Sequence, residues 1–481
     1  MKHWFLLLVY LFIGCVNFAI AQNSTINILN ASTADTTFFN NDSTIYTIGE
    51  ILLKGNKTTK SYTIYREVPF KQGDKLSAKQ LTEHLVLAKN QIMNTSLFLD
   101  VTVYVSNIIN NVATIQINVK ERWYIFPLPY FKLADRNFSQ WWYDHKASLN
   151  RVNYGLKFFH NNISGRNDKL TVNLITGYSQ QVQLGYANPF LDKKLKHGFS
   201  VVLNYLRQKE MNYATINHKQ VFVKSDDFIR ESAMGLFTYS YRPDSKFRFL
   251  TTLGIYHLNI ADTVLQLNPH YLPVNTKSNQ LNYASLSATL QYFALDYIPF
   301  PKKGFMFSTT LYGRGLQQDV NMLQATVITT NAVSLDDNSF LQFHTNSTIK
   351  FGKSKSYFNQ SLMGYNEMYL RGMEPYVIDG MAGFVSNNTF YHKLFDFNFK
   401  NPIKIKNYET IPFGFYAKLY GDIGYAYNQY ATGNKALANI LLSAAGIGLD
   451  ITTIYDFVFR IEYGVNNVGD KVFGLRINGA F

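Results

Sequence analysis

The segment Lys471-Val472-Phe473-Gly474-Leu475-Arg476-Ile477-Asn478-Gly479-Ala480-Phe481 decides the fold class. Phe473, Leu475, Ile477, Gly479 and Phe481 fall on one parity, and Gly474, Arg476, Asn478 and Ala480 on the other. A period of two belongs to a β-strand with one apolar face and one wet face. The same period recurs through roughly the last 340 residues, in Tyr154, Leu156 and Phe158, in Val172 and Leu174, in Val182, Leu184 and Tyr186, and in Phe457, Phe459, Ile461 and Tyr463. The run from Ile440 to Leu449 could pass for a helix. Read as a strand it sets Ala445, Ile447, Leu449 and Ile451 against Gly446, Gly448 and Asp450.

Composition narrows what such strands build. The chain has 34 Tyr and 38 Phe, only 16% charged residues and a mean hydropathy of −0.12. Aromatics at this density exclude a disordered chain. After residue 21 no stretch reaches the ~20 uninterrupted apolar residues of a membrane helix. A surface that is greasy outside and wet inside averages to near-neutral hydropathy, so the expectation is a mainly β protein with a C-terminal transmembrane antiparallel barrel. At about 9 to 11 residues per spanning strand, sixteen strands leave roughly 21 residues for each strand and its connection. Fourteen or eighteen strands also fit.

The N-terminus reads as an export signal. Lys2 precedes an apolar core from Trp4 to Val16, and Ala19-Ile20-Ala21 offers a cleavage site before Gln22. The competing lipoprotein reading would acylate the cysteine of Gly14-Cys15, the chain's single thiol, but Phe12 and the better downstream site oppose it. Removing residues 1–21 takes the formal charge from +14 to +13. For an exported basic protein the natural partner is an anionic lipid or lipopolysaccharide surface and not nucleic acid. Residues 22–44, rich in Asn, Ser and Thr, read as a flexible leader.

Residues 45–122 change period. Ile48, Ile51 and Leu53 lead into a Gly55-Asn56 turn, and 58–67 is a short helix candidate. Ser77 and Gln80 have capping-box spacing ahead of Leu81, Leu85, Ala88 and Ile92, one apolar helix face. Val101, Val103 and Val105, then Ile115, Ile117 and Val119 across Asn110-Asn111, form a hairpin. The order is β-α-α-β-β, closing at Glu121-Arg122. This module resembles a POTRA domain, the periplasmic unit placed before the barrels of BamA/TamA-type assembly factors and two-partner secretion translocators. A linker is expected at 123–139 and the barrel at 140–481.

Five further matches extend the resemblance to that superfamily. Asn161 to Arg166 is similar to the first barrel hairpin, Gly185 to Phe190 to the close of the second strand, and Asp296, Pro299, Pro301 and Gly304 to a mid-barrel turn. Leu370-Arg371-Gly372-Met373 resembles the family's loop motif, with Met373 in place of the usual aromatic, and Tyr420-Gly421-Asp422-Ile423-Gly424 its strand motif. The resemblance implies that Arg371 meets Asp422 inside the lumen, with Gly372 turning the loop and Gly424 leaving room for it. It implies that Phe473, Gly474, Leu475, Ile477, Gly479 and Phe481 form a C-terminal β-signal and one side of a weak seam, the other side being the first strand near 151–160. The function implied is insertion or translocation of unfolded outer-membrane or secreted polypeptide clients, with accessory lipoproteins as partners. A two-partner-type secretion pore and a passive channel are the alternatives. No hydrolase, metalloprotease or phosphate-loop motif is present, so no enzymatic activity, metal or cofactor is expected.

Overall fold

The computed structural model describes residues 44–481 except 134–145, 147, 193, 274–278, 316–320, 353–355, 366–367, 402–408, 432–436 and 479–481. The export signal, nearly all of the leader, and Gly479 and Phe481 lie outside the described residues.

The N-terminal module comprises β1 (Ile45–Lys54), α1 (Ser61–Tyr65), β2 (Lys75–Ser77), α2 (Ala78–Met93), β3 (Phe98–Ile109) and β4 (Val112–Glu121), with sheet order β2-β1-β4-β3. Strand β1 runs parallel to β4, pairing Ile51 with Ile115 and Leu53 with Ile117. At the start of α2, Ser77 Oγ accepts from the Gln80 N–H at 3.3 Å while Gln80 Oε1 accepts from the Ser77 N–H at 3.0 Å. Leu81, Leu85, Ala88 and Ile92 are buried, as are Val101, Val103, Ile115 and Ile117 of the sheet. Gly55 has φ +96°, and a Cβ there would lie 1.9 Å from the Val119 carbonyl oxygen, so only glycine fits the turn. One element corrects the expected order. The three residues of β2 are too few to show a period; pairing with β1, Ile45 to Ser77, defines them.

Beyond the module, the described residues form one sixteen-stranded antiparallel sheet with two short accessory hairpins. Its first half is β5 (Ile125–Leu133), β6 (Val152–Asn161), β7 (Lys169–Gly177), β8 (Ser179–Asn188) and β9 (His197–Gln208), then, after the hairpin of β10 (Glu210–Ile216) and β11 (Lys219–Lys224), β12 (Arg230–Tyr241), β13 (Phe247–Ile260) and β14 (Gln280–Leu295). The second half is β15 (Gly304–Arg314), β16 (Met322–Ser334) and β17 (Ser339–Phe351), then, after β18 (Ser361–Met363) and β19 (Ile378–Asp379), β20 (Ala382–Lys400), β21 (Thr410–Tyr427), β22 (Leu441–Thr452), β23 (Val458–Asn466) and β24 (Lys471–Asn478). Leu184, Ile255, Leu286, Leu419, Ile447 and Leu475 all stand exposed on one face. An apolar face of that extent is a lipid surface. No described helix is long and apolar enough to cross a membrane.

The sheet begins earlier than the sequence suggested. The segment 123–139, expected as a linker, contains β5, which pairs with β6 from Ile125–His160 to Leu133–Val152. The strand near 151–160 is therefore second, not first. Pro127 and Pro129 hid β5, because proline reads as a strand breaker yet is tolerated on an edge.

The module seats against the turns at one end of the barrel. Arg122 donates from Nη1 and Nη2 to the Asp456 carboxylate at 2.9 and 2.7 Å, and from Nε to the Phe98 carbonyl at 2.7 Å. Ser96 and Tyr297 hydroxyls also donate to Asp456. Across the mouth, Arg242 grips Glu67 at 2.9 and 2.8 Å, and Asn94 Oδ1 accepts from the Ile298 N–H at 2.9 Å. Tyr455 and Asp456 take left-handed φ values of 59° and 62°, a conformation costing non-glycine residues on the order of 1 kcal/mol each. The Asp456 pair is what holds that turn toward the module.

Burial alone would raise the Asp456 carboxyl, but hydrogen bonds and charge from Arg122 hold it below the usual carboxylate range. A depressed carboxyl stabilises the docked form above its unfolded value of about 3.9, and that contribution is lost as pH falls through the lower folded value. The docked arrangement is thus expected to be indifferent to pH between 5 and 8. Asp456→Ala should release the module at neutral pH, read as new protease cleavage between residues 121 and 125; an unchanged cleavage pattern would contradict the docking role.

Candidate functional site

The connection from β17 to β20 folds back against the inner face of the barrel. Gly372 turns its tip at φ +78°, and its carbonyl accepts from Asn466 Nδ2 at 2.7 Å. Leu370 and Met373 are buried in an apolar cluster with Met363, Val385, Ala426 and Leu442. Met373 thus fills the place of an aromatic by packing, where its thioether suits an irregular gap.

Arg371 leaves this cluster toward β21. Its Nε and Nη2 donate to Asp422 at 2.7 and 2.6 Å, a bidentate pair in which the residues are 5% and 1% exposed. The Asp422 carboxylate also accepts from Asn387 Nδ2 at 2.7 Å and the Asn388 N–H at 3.1 Å, and the guanidinium lies 4.3 Å from the centroid of the Tyr420 ring. Every lone pair of the carboxylate thus faces a donor, the condition under which a buried pair is tolerated. The structure brings Arg371, Gly372 and Asp422 together. Gly424 stands one step along β21, where a Cβ would approach Leu370 Cδ1 and Met363 Cε to 3.3 Å.

The remaining residues of interest sit on the last strand. Phe473, Leu475 and Ile477 point to the apolar face, each more than 60% exposed, and Gly474 lies on the opposite face near Glu462. Strand β24 pairs with β23 and β5 with β6; among the described residues no ladder joins β24 to β5.

Comparison with known proteins agrees with this geometry. A family model described as the Omp85 superfamily domain matches residues 162–481, and one described as POTRA, surface antigen variable number repeat, matches 46–122. The chain belongs to the Omp85 superfamily. Among solved structures, CdiB from Escherichia coli shares the fold at 13% identity with a TM-score of 0.50, over 90% of this chain and 74% of that one. BamA from Haemophilus ducreyi lacking POTRA domains 1–3 is 16% identical with a TM-score of 0.48, over 90% and 83%. No curated protein matches the sequence. Membership carries an outer-membrane insertion or secretion function.

In this Omp85 chain the loop anchor is one corner of a larger ionic cluster. Lys418 on β21 is fully buried between Asp450 at 2.5 Å and Glu462 at 2.7 Å. Asp450 also meets Arg460 Nε at 3.3 Å and the Tyr391 hydroxyl at 3.1 Å. Glu462 is shared by Lys418, Arg476 on β24 and, at 3.7 Å, Arg371, while Arg476 reaches Glu374 of the loop at 3.7 Å. Four cations so face four carboxylates across the last four strands and the loop.

Inward glycines make the space. A Cβ on Gly448 would lie 2.6 Å from Lys418 Cε, and one on Gly464 would lie 2.1 Å from the Tyr420 hydroxyl. The sequence motifs found Arg371 and Asp422 but missed Lys418, Asp450, Arg460, Glu462 and Arg476. Lys418 and Glu462 each face Gly448 across a ladder, whereas Asp450, Arg460 and Arg476 lie in one row across β22, β23 and β24, a juxtaposition that appears only once the strands are in register.

Removing one partner of a buried pair costs about 3–5 kcal/mol. Arg371→Ala and Asp422→Ala are each expected to destabilise the barrel by about that amount in urea unfolding, and the double variant by less than the sum. Either single variant unfolding at the parental midpoint would show that the anchor carries no stability. Gly424→Ala should be mild and Gly424→Leu should expel Leu370, read as protease access to residues 364–376; equal protection in both would contradict the packing role of Gly424.

Proposed function

We propose that this protein is an outer-membrane assembly factor that receives unfolded polypeptides through its POTRA module and inserts or translocates them at a weak seam of its barrel. The module lies in the periplasm and the loop carrying Arg371 enters from the cell surface. Client polypeptides are the principal partners, with accessory lipoproteins and the lipopolysaccharide leaflet as further ones, and the protein does no covalent chemistry. The observation that carries this reading is the seam: β5 and β24 each have one ladder among the described residues, while every other barrel strand has two. An unpaired edge is a template for another strand. The module's sheet supplies a second edge at β3, suited to strand addition.

A secretion pore is the second reading. It ranks lower because the Arg371 loop occupies the lumen and the module sits across the opposite mouth, so a chain crossing the lumen would have to break both buried ion pairs.

Depletion followed by quantitative proteomics of the outer membrane separates the readings. An assembly factor is expected to lower several barrel proteins at least threefold with inner-membrane export unchanged. Loss of a single exported protein would indicate the pore, and loss of small-solute permeability alone the passive channel.

A further inference from the structure

The hairpin of β20 and β21 outruns the sheet at the end that carries the module. A spanning strand needs about 9–11 residues, whereas β20 has 19 and β21 has 18. The ladder between β17 and β20 starts at Ser339 with His392, and the ladder between β21 and β22 stops at Gly414 with Thr452. Past those pairs, residues 394–400 of β20 and 410–413 of β21 have no third strand beside them among the described residues. They form a two-stranded ribbon that ends at Lys400 with Thr410.

A bulge sets the faces of this ribbon. Up to Lys393 the even positions of β20 lie opposite the odd, lipid-facing positions of β21, as Phe390 does with Leu419. Leu394 is then an extra residue, and Phe395 pairs with Phe415. The odd positions Phe395, Phe397 and Phe399 thereby join Phe415, Phe413 and Ile411 on the lipid-facing side, and Asp396, Asn398 and Lys400 take the other. The rings of Phe395 and Phe415 stack at 4.6 Å. Phe395, Phe397 and Phe399 are 54%, 52% and 42% exposed, close to the 57% of Leu419 on the barrel wall, so nothing in the chain covers them.

A lone two-stranded ribbon is marginal in water, and a contiguous bare apolar face marks a surface that something else covers. A lid on the lumen would turn that face inward, but here it turns outward, in line with the lipid-facing wall. We propose that residues 394–400 and 410–413 are a membrane-docking ribbon, whose phenylalanine face enters the headgroup layer and upper acyl chains of the phospholipid leaflet on the module side. Without the extra residue Leu394 the same ladder would present Asp396, Asn398 and Lys400 to the lipid, so the bulge is what fits the ribbon to that surface. This docking depends on the lipid-facing wall of the barrel and not on the insertion of clients.

The test uses the full-length protein with Cys15→Ser in phosphatidylcholine vesicles, with Phe397→Cys, Phe413→Cys or Asn398→Cys introduced singly and labelled with a nitrobenzoxadiazole dye. A nitroxide on the upper acyl chain of the lipid is expected to quench the dye at 397 and at 413 at least threefold more than at 398. Iodide on both sides of the membrane should show the reverse order. With the dye at 413, Phe395→Asn and Phe399→Asn together should lower the lipid quenching at least twofold. Iodide reaching 397 and 413 as readily as 398 would place the ribbon in water and overturn the proposal. Protection of 397 and 413 from both quenchers would mean that protein covers the face, and lipid quenching at 413 unmoved by the double substitution would mean that the phenylalanines do not hold it; either result also overturns it.

Discussion

A chain in hydrocarbon must satisfy its own backbone hydrogen bonds, because no water is present to do so. Among the described residues, sixteen strands in sequential antiparallel order meet that demand everywhere except at the two ends of the row. The alternation of side chains follows from the same geometry, with Leu419, Ile447 and Leu475 turned to lipid and Lys418, Asp450 and Glu462 turned inward. Strand β5 stands at one of those ends. Pro127 and Pro129 put missing donors on an edge where a missing donor cannot be replaced by solvent.

The inner face answers the opposite problem. A long loop folded into a narrow lumen gains little from apolar contact alone, so it is fixed by a directional pair, Arg371 with Asp422, beside a packed patch around Leu370 and Met373. Because Glu462 touches both Arg371 and Arg476, the loop and the last strand share one set of charges. At the other mouth, Arg122 and Asp456 do the same for the module. Both ends of the lumen are thus held by guanidinium–carboxylate pairs whose partners come from distant parts of the chain.

Much of this was legible in the sequence, for reasons that can be named. Period-two alternation over long runs announced the barrel, and the capping box at Ser77 and Gln80 set the start of α2 within the module. Arg371 and Asp422 could be singled out because each lies in a short motif with a characteristic neighbour, Gly372 and Gly424. The rest depended on register. Arg122 and Asp456 are separated by 334 residues, and although Arg122 stood out as the close of the module, nothing local marks Asp456 as its partner. Lys418 and Glu462 look like ordinary wet-face residues until the strands are aligned and Gly448 is seen to make room. The first strand was hidden by its prolines, which signal a break unless the strand is known to lie at an edge.

The seam is tested most directly by oxidative crosslinking of paired cysteines, which the chain permits because its only native cysteine is Cys15. With one cysteine at Leu128 and the second scanned from Lys471 to Ile477, no position should crosslink at the rate of the adjacent-strand control, Leu128 with Lys157. A position that matches the control would show β5 and β24 zipped together, contradicting an open seam.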